Sequence, residues 1–252
     1  MIYTLTLNPA IDRELTVPAM EFDSVLRAVD SRFDLGGKGF NVSRLLIRLN
    51  VESVSVGFVG GKAGEILEDG LQSLKIHTDF VHLSGETRTN ISIVAQSGGH
   101  YIKVNEKGPM VDAVRQMELL EKISGLAKEG DWWILAGSLP PGVPDDFYAQ
   151  VLSILNDKKA FSILDTIDEP FKLGCLKKPF LVKPNVEEAC NLTGMPVYSL
   201  DQIAKASEKI CTMGAQNVVI SLGKDGAILH SPHGSWFAKS PPVVERNPIG
   251  AG

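Results

Sequence analysis

Short, largely apolar runs alternate with amphipathic stretches along most of this chain. Residues 2–7, 53–59, 132–136, 161–164, 180–182 and 217–221 have the length and composition of strands buried on both faces. Between them, apolar positions recur at helical spacing. Val42, Leu45, Leu46 and Leu49 form one such stripe, Phe147, Tyr148, Val151, Leu152 and Leu155 a second, and Ile203, Ala206, Ile210 and Met213 a third. This alternation predicts a doubly wound α/β sheet with helices on both faces. Two stretches break the pattern. Leu15 and Val17 followed by Val29, Ser31 and Phe33, and Ile91, Ile93 and Ala95 followed by Tyr101, Ile102 and Val104, alternate as strands do. A Ser97-Gly98-Gly99 turn divides the second stretch. Residues 13–33 and 89–104 therefore read as two antiparallel ribbons of one accessory sheet. A lone ribbon is rarely stable, so this sheet should pair with something, such as a second subunit.

Composition narrows the function classes. The 252 residues are 44% hydrophobic and 22% charged, enough for one large α/β domain or two small ones. A net charge of −5 without a Lys/Arg run leaves no electrostatic footprint for nucleic acid. No apolar run approaches membrane-spanning length. Cys175, Cys190 and Cys211 lack metal-ligand spacing and suit a reducing compartment, which points to the cytoplasm. The five histidines share no metal spacing either.

Seven segments carry residues with chemical potential. Asp12 reads as a carboxylate in a turn after the first strand, placed to accept substrate hydroxyls or simply to form the turn. Gly36-Gly37-Lys38-Gly39 leads into a helix bearing Asn41. Its glycines permit close backbone approach to a ligand, yet no hydroxyl follows the lysine as a Walker A loop requires. Arg88 opens the second ribbon, either as a phosphate clamp or as a solvated surface arginine. Ser138 lies among small residues after the 132–136 strand, in a ligand space or a plain turn. Asn185 and Glu188, after Lys183, have capping-box spacing, and the same oxygens could hold Mg²⁺ through water. Ser221, Gly223 and Gly226 mark a strand-end turn. Gly250-Ala251-Gly252 has the form of a phosphate-cradling turn at a helix start.

In this order, the segments resemble the PfkB (ribokinase-like) family of carbohydrate kinases over the whole chain. The family's two signatures are matched by residues 37–43 and 247–252, and residues 6–12 with 85–88 resemble its phosphosugar branch, which acts on fructose 1-phosphate and tagatose 6-phosphate. The resemblance implies a ribokinase-like α/β/α sandwich: a single domain over 1–252, with lid segments at about 13–34 and 86–105 and the C-terminal part of the fold missing. It implies ATP and Mg²⁺, with fructose 1-phosphate converted to fructose 1,6-bisphosphate; tagatose 6-phosphate is the alternative acceptor, and a non-catalytic sugar-phosphate sensor the alternative function. Asp12, Gly37, Lys38, Asn41 and Ser138 would hold the sugar and Arg88 its phosphate. Lys183, Asn185 and Glu188 would face the nucleotide phosphates and magnesium, and Ser221, Gly223 and Gly226 the adenosine. Gly250, Ala251 and Gly252 would form the anion hole. The lid would build a homodimer. The family's general base is an aspartate directly after Gly-Ala-Gly, which this sequence does not contain. The chain as written is therefore expected to bind sugar but to be nearly inactive.

Overall fold

The structure, a computed structural model, describes residues 1–241, so Gly250, Ala251 and Gly252 lie outside the described residues. The chain divides into two compact units: residues 1–122 with 136–143, and residues 123–135 with the chain from Pro144 onward.

Unit one begins with β1 (Ile2–Thr6), β2 (Ala10–Val17), β3 (Asp30–Gly36) and α1 (Lys38–Arg48). It continues with β4 (Val54–Gly60), α2 (Gly61–Ser73), β5 (His77–Leu83), β6 (Arg88–Ala95), β7 (Tyr101–Val104) and most of α3 (Ala113–Leu126). Strands β1, β4 and β5 pair in parallel. The accessory sheet has the order β3-β2-β6-β7. Its hairpins β2/β3 and β6/β7 are the expected antiparallel ribbons, and parallel pairing of β2 with β6 fuses them.

Helix α1 departs from its sequence reading. Leu45 and Leu49, half of the expected buried stripe, are 57% and 62% exposed, whereas Gly39, Phe40 and Ser43 are buried. The reason is close packing on β1. A Cβ at Gly39 would overlap Thr6 Oγ1. The Ser43 hydroxyl lies 2.8 Å from that of Thr4, 3.0 Å from that of Ser53 and 3.2 Å from that of Ser55. This buried cluster satisfies its own polar groups, the condition for keeping hydroxyls out of water. Apolar periodicity is blind to a face built from glycine and serine. Phe40 is the large apolar side chain this helix buries fully, meeting Phe80 edge-on at 5.7 Å between ring centroids, in a cluster with Leu35, Val59, Leu67, Leu71 and Ile76. Strand β5 escaped the sequence reading because His77, Asp79 and His82 interrupt its apolar residues.

Unit two contains β8 (Trp132–Ala136, whose last residue belongs to unit one), α4 (Phe147–Asp157), β9 (Phe161–Asp165), α5 (Asp168–Cys175) and β10 (Leu181–Val182). It goes on to α6 (Val186–Thr193), α7 (Leu200–Thr212), β11 (Val218–Ser221), β12 (Ala227–Ser231) and β13 (Gly234–Ala238). The strand order is β13-β12-β11-β10-β9-β8. Strands β9, β10 and β11 are parallel, and β12 and β13 return as antiparallel strands. Here the helical stripes hold. Phe147, Tyr148, Val151, Leu152 and Leu155 on α4 are all buried, as are Ile203, Ala206 and Ile210 on α7. Burial of each large apolar side chain is worth about 1.5–3 kcal/mol. Cys175 is buried, and burial pushes its thiol up to about 12. No helix among the described residues is long and apolar enough to cross a membrane.

Candidate active site

The sugar-side candidates all belong to unit one, and two of them, Asp12 and Arg88, lie next to the turn between β1 and β2. Asp12 is not in that turn, as its sequence context suggested, but is the third residue of β2. Strand alternation puts it level with Asp34 on β3 and Asn90 on β6. Asn90 Nδ2 donates to Asp12 Oδ1 at 2.8 Å. The other carboxylate oxygen lies over Gly36, where any Cβ would overlap it, so Gly36 is needed to seat Asp12. Gly37 follows and N-caps α1, whose first residue is Lys38. One turn on, Asn41 accepts from Arg44, whose guanidinium also donates to Asp34. Ser138 is exposed. Its neighbour Leu139 is drawn to the same turn, because Asn8 Nδ2 donates to the carbonyls of Lys107, at 3.0 Å, and Leu139, at 3.4 Å.

Arg88, read as a clamp or a solvated arginine, is half-buried and bonded to backbone. It donates to the carbonyl of Asn8 at 2.9 Å, of Glu106 at 2.8 Å and of Pro9 at 3.4 Å. A guanidinium has five N–H donors, so the described residues leave two for another acceptor. Burial lowers the pKa of Arg88, while the nearby carboxylates of Asp12 and Glu106 oppose that shift. The residues before it are anchored as well. Thr87 exchanges hydrogen bonds with Gly60 at the end of β4, and Glu86 accepts from Ala63 N in the first turn of α2. Asn90 received no role from sequence. Its signal was its spacing two residues after Arg88, which puts both on one face of a strand.

The nucleotide-side candidates belong to unit two. Lys183 follows β10 and pairs with Asp165 at the end of β9, Nζ to Oδ2 3.2 Å. Asp165 is nearly buried and was missed in the sequence, where it only follows the apolar 161–164 run. The expected capping box is present. Asn185 Oδ1 accepts from Glu188 N, and Glu188 Oε2 accepts from Asn185 N, each at 2.8 Å. Ser221 ends β11, and Gly223 opens a single 3₁₀ turn closed by Gly226 before β12. A Cβ at Gly223 would meet nothing within 4 Å, so the turn leaves open space there.

The chemistry of the two sets differs. Unit one offers a fixed carboxylate, an amide, a lysine and an arginine with spare donors, a set suited to hydroxyls and an anion. Unit two offers a lysine beside hard oxygen donors at a helix N-terminus, a set suited to phosphates. An α/β fold carrying both has the equipment of a phosphotransferase. The pfkB family carbohydrate kinase model matches residues 3–252, and the chain belongs to that family. It is 34% identical over 253 residues to the 1-phosphofructokinase of Bacillus subtilis, covering 100% of this chain and 82% of that protein. It is 38% identical over 230 residues to the D-tagatose-1-phosphate kinase of Bacillus licheniformis, covering 90% of this chain and 74% of that protein. Phosphofructokinase-2 of Escherichia coli in complex with fructose-6-phosphate superposes with a TM-score of 0.92 at 28% identity, over 99% of this chain and 83% of that one. The fold is accordingly ribokinase-like, with a large mixed sheet and a smaller one.

Proposed function

We propose that this chain is a sugar-phosphate kinase domain that transfers the γ-phosphoryl group of ATP to the free primary hydroxyl of a ketohexose phosphate. The observation that carries this reading is the placement of Asp12, seated by Gly36 and Asn90, next to Arg88, which bonds the turn just before it, in a chain of this family. Fructose 1-phosphate is the first candidate acceptor, supported by relatives named for 1-phosphorylated ketohexoses; tagatose 6-phosphate is the alternative.

In this reading Asp12 accepts from a sugar hydroxyl through the carboxylate oxygen that Asn90 leaves available. Gly37, Lys38, Asn41 and Ser138 line the sugar, and the two spare N–H groups of Arg88 meet its phosphate. The acceptor oxygen forms a bond to the γ-phosphorus, the bond from that phosphorus to the bridging oxygen breaks, and ADP leaves. The hydroxyl proton passes to a general base. Lys183 neutralises developing phosphate charge, and Ser221, Gly223 and Gly226 border the nucleoside. Mg²⁺ fits the Asn185–Glu188 pair through water. Among the described residues no cluster of three or more His, Cys, Asp or Glu could hold an ion directly, and each residue of the pair already has one oxygen in the capping box. The ion would shield charge between the phosphates. The anion-hole role of Gly250, Ala251 and Gly252 rests on the family resemblance.

The accessory sheet would serve as a lid over the sugar and as the seat of a homodimer. Its support is one sheet face on which Phe33, Ile91, Ile102 and Val104 are exposed. Escherichia coli phosphofructokinase-2 has also been solved in a tetrameric inhibited form, so larger assemblies occur in a related enzyme. The free state of all three cysteines accords with a cytoplasmic setting.

Calorimetric titration with fructose 1-phosphate, tagatose 1-phosphate, tagatose 6-phosphate and fructose 6-phosphate, followed by ADP release from MgATP, tests the proposal. Binding of a ketohexose 1-phosphate at least tenfold tighter than the 6-phosphates is expected, with ADP formed when the family's aspartate follows Gly-Ala-Gly. Binding without any ADP release by a chain carrying that aspartate would favour the sensor, and no binding would refute the sugar-phosphate reading.

A further inference from the structure

We propose that Arg88 is a positioning residue for Asp12, independently of any phosphate it meets. The inference rests on the reading of Asp12 as the sugar's acceptor, but its physical content is visible in the chain's own hydrogen bonds. The guanidinium joins three places that are distant in sequence. These are the β1–β2 turn at Asn8 and Pro9, the start of β6 where Arg88 itself stands, and the chain leaving β7 at Glu106. Each place is the root of an accessory-sheet strand, and the register pairs Ala10 with Arg88 and Asp12 with Asn90.

The surrounding contacts make the brace directional. Glu86 and Thr87 fix the segment to α2 and β4, so Arg88 reaches out from an anchored base. Glu106 is held twice, by its carbonyl to Arg88 and by its carboxylate, which accepts from Thr89 N at 2.8 Å. Asn90 completes the chain of contacts by bonding the Asp12 carboxylate. The side-chain oxygen of Asn90, Oδ1, is buried without a partner among the described residues, so an amide turned the other way would lose the bond to Asp12 and gain nothing. A phosphate-only role would require none of the three carbonyl contacts. Carbonyls facing a charged donor form hydrogen bonds stronger than the ordinary neutral kind. Removing the guanidinium should therefore loosen the turn that leads into the strand of Asp12 even with no ligand present.

Backbone amide exchange on the ligand-free protein tests this. In Arg88→Met, amides of Ala10–Asp12 and of Glu106–Gly108 should exchange about tenfold faster than in the wild type or more. Amides of α4 in unit two should be unchanged, which also reports that the variant is folded. Should Arg88→Met not fold, Arg88→Lys keeps the charge but lacks the planar fork, and the same amides should accelerate by a smaller factor. Unchanged exchange at Ala10–Asp12 in the folded variant, with fructose 1-phosphate binding weakened, would leave Arg88 a phosphate ligand only and overturn the proposal. Failure of the wild type to bind any sugar phosphate would instead remove the role assigned to Asp12 while leaving the brace itself measurable.

Discussion

The two units prepare their candidate residues in different ways. In unit one, Asp12 and Arg88 are held by long-range contacts: Asp12 by Asn90, which is 78 positions away, and Arg88 by carbonyls 79 and 80 positions away. In unit two, Asn185 and Glu188 are only three positions apart and hold one another in a helix cap. Geometry in unit one thus depends on tertiary folding, whereas the cap in unit two is local and forms with its helix. Damage to a unit-one contact should therefore spread to binding, while damage to the unit-two cap should stay small and local.

The sharpest break of this contrast is Gly36→Ala. The new Cβ would overlap the Asp12 carboxylate and come within 2.9 Å of the Ala10 carbonyl. Overpacking of this kind costs about 1–3 kcal/mol, and sugar-phosphate affinity should fall by about 100-fold as Asp12 is displaced. Urea unfolding and calorimetry report the two effects separately. Lys183→Met should follow in size. It leaves the nearly buried Asp165 without its cation and should cost about 1–3 kcal/mol in urea. Nucleotide affinity should fall with it, but sugar-phosphate affinity should not. Glu188→Ala should be the mildest, with about 1 kcal/mol lost from one half of the capping box. If Glu188→Ala unfolds the chain, or Gly36→Ala leaves sugar binding intact, the contrast fails.

The same contrast explains what the sequence could reveal. The cap at Asn185 and Glu188, the α4 and α7 faces, and the β11–β12 turn are local patterns, and all are found where periodicity and spacing put them. The α1 face was misread because its buried side is Gly39 and Ser43, whose reason to be inside lies in Thr4 and Thr6 on β1, Ser55 on β4 and Ser53 just before β4. Asp12 was placed in a turn because Asn8 and Pro9 look like strand terminators. The chain re-enters a strand at Ala10 because β6 and β3 are there to pair with it. The family signatures named the candidate residues as a set. The carbonyl contacts of Arg88 were not legible, since backbone acceptors leave no mark on a sequence.

The central claim is that Asp12, seated by Gly36 and Asn90, receives the sugar. Titrating fructose 1-phosphate into the wild type and into Asp12→Ala tests it most directly. The account predicts saturable binding by the wild type, at least tenfold weaker binding by Asp12→Ala, and equal affinity of the two for ATP. Equal fructose 1-phosphate affinity in both proteins would contradict it.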